Sequence, residues 1–251
     1  MSKKGFVVVR GGVSGAGRHI SLAFAKAGYN IAADFADAGS SYRGPYLVEE
    51  SAPFGVSCIW RNANPGSLED LKETIRQGEE AFGEKLAIYI NNDGVIDGKR
   101  LDELSQPEYD ELVSMHINSM LNCAKAAADA MAPNGGGIVI TTVAVMPPPF
   151  QSGDVDFTFE LELYRAFTKS LAKTYQEKNI RFVTLISAPL NYPPDRDPPE
   201  GVEVPNHAQF ALSFEPPPAP EEEPDEFLEM LVRIAESPKI NGQVLSHDLQ
   251  F

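Results

Sequence analysis

The chain is short of cysteine, tryptophan, basic residues and long apolar runs, and each shortage removes a class of protein. Two cysteines in 251 residues, Cys58 and Cys123, cannot frame a disulfide scaffold. Both lie in apolar surroundings and read as buried thiols. No apolar run approaches the roughly 20 residues that cross a bilayer. Lysine and arginine total 21 against 36 acidic residues, a formal net charge of -15. Nucleic acid and anionic membranes both require a basic face, so neither is expected as a partner. The histidines, His19, His116, His207 and His247, show no metal-ligand spacing with carboxylates or thiols, and none is read as a ligand. Met1-Ser2-Lys3-Lys4 runs straight into an apolar strand, which leaves no room for a signal peptide and leads us to expect a cytoplasmic chain.

What remains suits one α/β domain over residues 1–251. Phe6-Val7-Val8-Val9 reads as a buried strand, and Gly11-Gly12-Val13-Ser14-Gly15-Ala16-Gly17 follows it. A helix with Ile20, Leu22, Ala23 and Ala27 on its apolar side comes next, then a strand from Asn30 to Phe35. Strand, glycine turn, helix and strand make a βαβ unit of the nucleotide-binding kind, in which Gly11, Gly15 and Gly17 let a diphosphate approach the helix N-terminus. Asp34 has two readings, a carboxylate for an adenosine ribose or a solvated charge at a strand end. A third strand is expected from Val56 to Trp60, then a helix from Ser67 to Phe82 with Ser67 as N-cap and Asp70 completing an imperfect capping box. The fourth strand, Leu86 to Ile90, ends in Asn91-Asn92-Asp93-Gly94-Val95.

Gly11, Gly15 and Gly17 together with Asn91-Asn92-x-Gly94 resemble the short-chain dehydrogenase/reductase superfamily. The likeness continues through Gly137 to Ala144, Phe167 to Ala172, and Ile240-Asn241-Gly242-Gln243-Val244-Leu245. It implies a Rossmann-type, doubly wound parallel sheet of seven strands. It also implies a catalytic serine, tyrosine and lysine with an asparagine that anchors a relay water. At those positions this chain has Thr142, Phe157, Leu161 and His116. Phenylalanine cannot exchange a proton and leucine cannot stabilise a phenolate. Loss of acid/base help alone costs ~10²–10⁴ in rate, so the site reads as dead for hydride-transfer chemistry. Tyr164 does not rescue it, because Thr168 stands four residues on and Lys169 lies about 140° around the helix. Tyr192 and Arg196 are separated by Pro193-Pro194 and cannot share a helical face.

The cofactor positions are altered too. The usual threonine before the first glycine is Arg10, the adenine-binding aspartate aligns near Arg61, and Asp93 replaces an alanine. Gly11, Gly15, Gly17, Asp34, Asn91 and Gly94 read as remnants of a nucleotide site, with no cofactor expected in this chain. Asp154 and Asp156 either line the vacated pocket or are solvated. From Pro189 to Pro224 the chain is proline-rich and acidic at its far end, and reads as a lid loop. Helices at about 107–131 and 156–177 carry apolar residues on more than one side. In the family such helices pair across a two-fold axis, and Met120, Ala124 and Ala127 suit that packing. The resemblance thus implies a non-catalytic subunit of a heterotetramer, whose active paralogue carries NAD and oxidises a secondary alcohol. Two alternatives stay open: a repurposed NADP(H)-binding reductase or cyclase using Asp154 or Asp156, and a ligand-sensing module.

Overall fold

A computed structural model describes residues 4–36, 40–96, 105–107, 110, 117–145, 158–187, 196–198 and 224–247, with the backbone alone at 93–96, 145, 158–160 and 224–225. Seven parallel strands run in the order β3-β2-β1-β4-β5-β6-β7. They are β1 (Phe6–Val9), β2 (Asn30–Phe35), β3 (Cys58–Asn62), β4 (Leu86–Ile96), β5 (Gly137–Val145), β6 (Ile180–Ser187) and β7 (Gln243–His247). The order reverses between β1 and β4, which opens a crevice at the carboxyl ends of those strands. Six helices are described: α1 (Gly15–Lys26), α2 (Arg43–Ser51), α3 (Leu68–Phe82), α4 (Ser119–Met131), α5 (Thr158–Thr174) and α6 (Pro224–Glu236).

The strand sequences explain the layers. β1 is apolar at every position because it is covered on both sides. Val7 and Val9 join α1, α2 and α6 in one core, while Phe6 and Val8 join α3, α4 and α5 in the other. Leu161 and Tyr164 of α5 close a smaller cluster with Met120, Val143 and Ile186. Gly78 lets α3 seat on Phe6, whose ring would stand 2.4 Å from an added Cβ. Ser67 caps α3 as expected, accepting the Asp70 N–H at 3.2 Å. At the far end, Gly83 takes the left-handed conformation that stops the helix.

Several expectations need correction. The third strand begins two residues later than Val56, at Cys58, and Cys58 is half-buried rather than buried. Helix α2 was not expected from the sequence, although Arg43, Gly44, Leu47 and Ser51 turn one side of it inward. The Trp60 ring packs so closely on Gly44 that a Cβ there would lie 2.1 Å away. Met120, Ala124 and Ala127, expected to suit a partner helix, are spent on the domain's own sheet and on α3. The helix expected over 156–177 gives way after Thr174 to a short 3-10 turn, Gln176–Lys178. His116, Asp154, Asp156, Phe157, Tyr192 and His207 lie outside the described residues, as does the loop expected over 189–224 apart from 196–198 and Pro224. Among the described residues no helix is long and apolar enough to cross a membrane.

Candidate functional site

The glycine turn lies between β1 and α1, at the sheet's switch point. Its glycines have different reasons. A Cβ on Gly17 would stand 2.1 Å from the Gly11 carbonyl oxygen, and one on Gly12 would strike Val9 and Ser21. Those two serve the close approach of helix to strand whether or not anything binds. Gly15 has φ +49° with open space beside it, and it is the position where a diphosphate has room.

Beneath the turn lies a buried polar network that the sequence does not reveal. Asp34 is 1% exposed and accepts the Gly11 N–H at 3.1 Å, while the Gly12 N–H reaches the Asp34 carbonyl at 3.0 Å. Its second carboxylate oxygen has no partner among the described residues. Burial raises its pKa to about 6, against the pull of the Gly11 N–H and the Arg10 and Arg61 guanidiniums. Asp34 is therefore neither solvated nor presented to a ribose. Arg10, also buried, donates to Asn91 Oδ1 at 2.9 Å and to Ser119 Oγ at 3.2 Å, tying β1 to β4 and α4. Cys123 Sγ shares the same Asn91 oxygen at 3.3 Å. Arg61 donates to the Asp70 carbonyl and to Thr74 Oγ1, which turns it onto α3.

On the catalytic side, Thr142 faces Asn92 across the β4–β5 ladder and donates its hydroxyl to Asn92 Oδ1 at 3.1 Å. Thr142 is 4% exposed, so the hydroxyl at the serine position is occupied and covered. Leu161, at the lysine position, is 7% exposed and packs among Met120, Val143, Tyr164 and Ile186. Tyr164 is wholly buried, whereas Lys169 is exposed on another side of the helix. The structure thus brings Gly11, Asp34, Asn91 and Thr142 to one end of the sheet. The described cations near them are Arg10 and Arg61, each turned to a partner within the domain, and the described phenol is Tyr89, buried in the core with its pKa raised by burial. A diphosphate has room at Gly15, but Leu161 and the inward Asp34 do not fit a ribose held for hydride transfer. Among the described residues no group of histidine, cysteine, aspartate or glutamate side chains could hold a metal ion.

Comparison with known proteins agrees with this architecture. The family model for short chain dehydrogenase matches residues 5–192. The 3-oxoacyl-[acyl-carrier-protein] reductase FabG of Staphylococcus aureus is 27% identical over 173 residues, covering 69% of this chain and 69% of that protein. The acetoacetyl-CoA reductase of Cupriavidus necator is 23% identical over 177 residues, covering 70% and 71%. A mutant Serratia marcescens short-chain dehydrogenase/reductase superposes with TM-score 0.75 at 21% identity, over 97% of this chain and 96% of that one. A hydroxysteroid dehydrogenase from Escherichia coli gives 0.72 at 19% identity, over 96% and 94%. The chain belongs to the short-chain dehydrogenase family.

Proposed function

We propose that this member of the short-chain dehydrogenase family is a non-catalytic subunit, assembling with an active paralogue that carries NAD and oxidises a secondary alcohol. The observation that carries the reading is Leu161, packed in an apolar cluster where a working site needs a cation. The covered hydroxyl of Thr142 supports it, because a buried donor already bound to Asn92 has nothing left to polarise a carbonyl. What the chain keeps is the sheet, the glycine turn and the two helices α4 and α5, the parts that give a partner a surface.

A finer assignment rests on resemblance alone: the inactive subunit of the 2-(hydroxy(phenyl)methyl)succinyl-CoA dehydrogenase of anaerobic toluene degradation, whose intact paralogue performs the oxidation. It suits a chain whose relatives include an acetoacetyl-CoA reductase and a reductase of 3-oxoacyl groups on acyl-carrier protein, both named for acyl thioesters. The test is co-expression with an active short-chain dehydrogenase paralogue from the same organism, followed by gel filtration, nucleotide titration and assay with that thioester. A stable mixed complex, active only when the paralogue's tyrosine is intact, is the expected result. Alcohol oxidation by the isolated chain would end the proposal.

A further inference from the structure

A row of polar side chains crosses the sheet on the side covered by α3, α4 and α5. Arg61 pairs in register with Asp34, and Asn91 with Thr141, which in turn pairs with Thr184. Arg10 joins the two halves through its bond to Asn91 and its pull on Asp34. The row ends against α5, where Thr168 Oγ1 and Thr184 Oγ1 lie 2.7 Å apart. Thr141, Thr168 and Thr184 are each at most 5% exposed, and they line a cavity of about 10 Å³ between α4, α5, β5 and β6. Met120, Ala124 and Phe182 give part of its apolar wall.

The hydroxyl protons fix who donates to whom. Thr168 has one, and its oxygen lies 2.7 Å from the Tyr164 carbonyl, which can only accept. Thr184 therefore donates to Thr168, and the lone pairs of the Thr184 oxygen meet no donor among the described residues. The Thr141 hydroxyl likewise has no partner among them. Nor has Asn91 Nδ2 on the neighbouring strand, and its amide cannot turn over, because Oδ1 must face the Arg10 guanidinium. Buried polar groups left unpaired are costly. One water, accepting from Thr141 and donating to Thr184, meets both hydroxyls, and the cavity has the volume for one. We propose that this cavity is a binding site for a single ordered water, which ties α5 to the β5–β6 pair through Thr141, Thr184 and Thr168. An apolar filling would suit valines at these positions, which have the shape of threonine and no hydroxyl to satisfy. The inference is independent of the function proposed above, which gives none of these three hydroxyls a part.

The test is crystallography of the full chain at a resolution that shows ordered waters, joined to magnetic relaxation dispersion of water oxygen, which counts long-lived internal waters in solution. Wild type is expected to show density for one water within hydrogen-bond reach of both Thr141 Oγ1 and Thr184 Oγ1. The dispersion amplitude is expected to fall by one long-lived water in Thr184→Val and in Thr141→Val. Thr141→Ser keeps the hydroxyl and is expected to keep the wild-type amplitude. A dry cavity, a water bonded to neither hydroxyl, or an undiminished amplitude in both valine variants overturns the inference. Should neither valine variant fold, the wild-type density decides alone.

Discussion

Asp34 and Gly11 are joined by a hydrogen bond from the Gly11 N–H to the Asp34 carboxylate, 3.1 Å long and sealed from solvent. A carboxylate so placed fixes the start of the glycine turn, at the cost of holding a charge beneath it. The sequence motif and the electrostatics of the turn are therefore coupled through one side chain.

Stability should depend on pH through this group. The folded-state pKa, about 6, lies above the ordinary value near 3.8, so the neutral form is favoured in the fold. The stabilisation it gives is fully present below about pH 4, declines as pH rises to about 6, and is gone above that. A shift of this size corresponds to about 3 kcal/mol. Asp34→Asn keeps an acceptor for the Gly11 N–H and removes the titration. Urea unfolding from pH 4 to 7 should show wild type losing about that much relative to the variant. A constant difference across the range would mean that Asp34 does not titrate in this window.

Arg10 should matter for the fold far more than its place in the motif suggests. It donates to Asn91 Oδ1 and Ser119 Oγ within the core. Arg10→Met would leave Ser119 short of a donor and withdraw the positive charge near Asp34. We expect a loss of about 2–4 kcal/mol in urea unfolding. A loss below about 0.5 kcal/mol would show that the network contributes nothing to stability.

The glycines offer a contrast between architecture and ligand. Gly17→Ala places a methyl 2.1 Å from a carbonyl oxygen of the turn and should prevent or severely weaken folding. Gly15→Ala meets no neighbouring atom and carries only the strain of a positive φ, about 1 kcal/mol. Calorimetry of the two variants checks this order. A Gly17→Ala protein as stable as wild type would remove the packing explanation for that glycine.

What could be read from the chain alone follows the range of the interactions. The Ser67 cap and the glycine turn were legible because their chemistry is local: a hydroxyl three residues before an N–H, and glycines at a tight turn. The seven-stranded parallel sheet followed from the family resemblance. Asp34 was not legible, because the two readings open to it both placed it near solvent. Which way a strand residue points depends on the pairing of Asp34 with Arg61 in β3 and on the turn above it. Arg10 was seen only as a missing threonine, since its partners lie 81 and 109 positions along the chain. Helix α2 was missed because Gly44 and Pro45 near its start look like breakers. The glycine is there to receive Trp60, and the proline falls in the first turn, where its missing N–H costs little.

If Leu161 stands where the family resemblance implies a lysine, as proposed, simple repair should fail. The resemblance implies a lysine here that would meet a ribose and a tyrosine. Here Leu161 is 7% exposed and touches a cluster of Met120, Val143, Tyr164 and Ile186. A lysine introduced there would have its ammonium among apolar side chains and would either lose its proton or force the helix away from the sheet. Leu161→Lys should therefore cost about 3–5 kcal/mol, the range for an unpaired buried charge. Ala166→Lys on the exposed side of the same helix should change stability by less than about 0.5 kcal/mol. Combining Leu161→Lys with Phe157→Tyr should yield a weakened protein with no alcohol oxidation above the parent. If instead Leu161→Lys is as stable as wild type, the side chain must open onto a polar cleft, and the case for a non-catalytic subunit loses the observation it stands on.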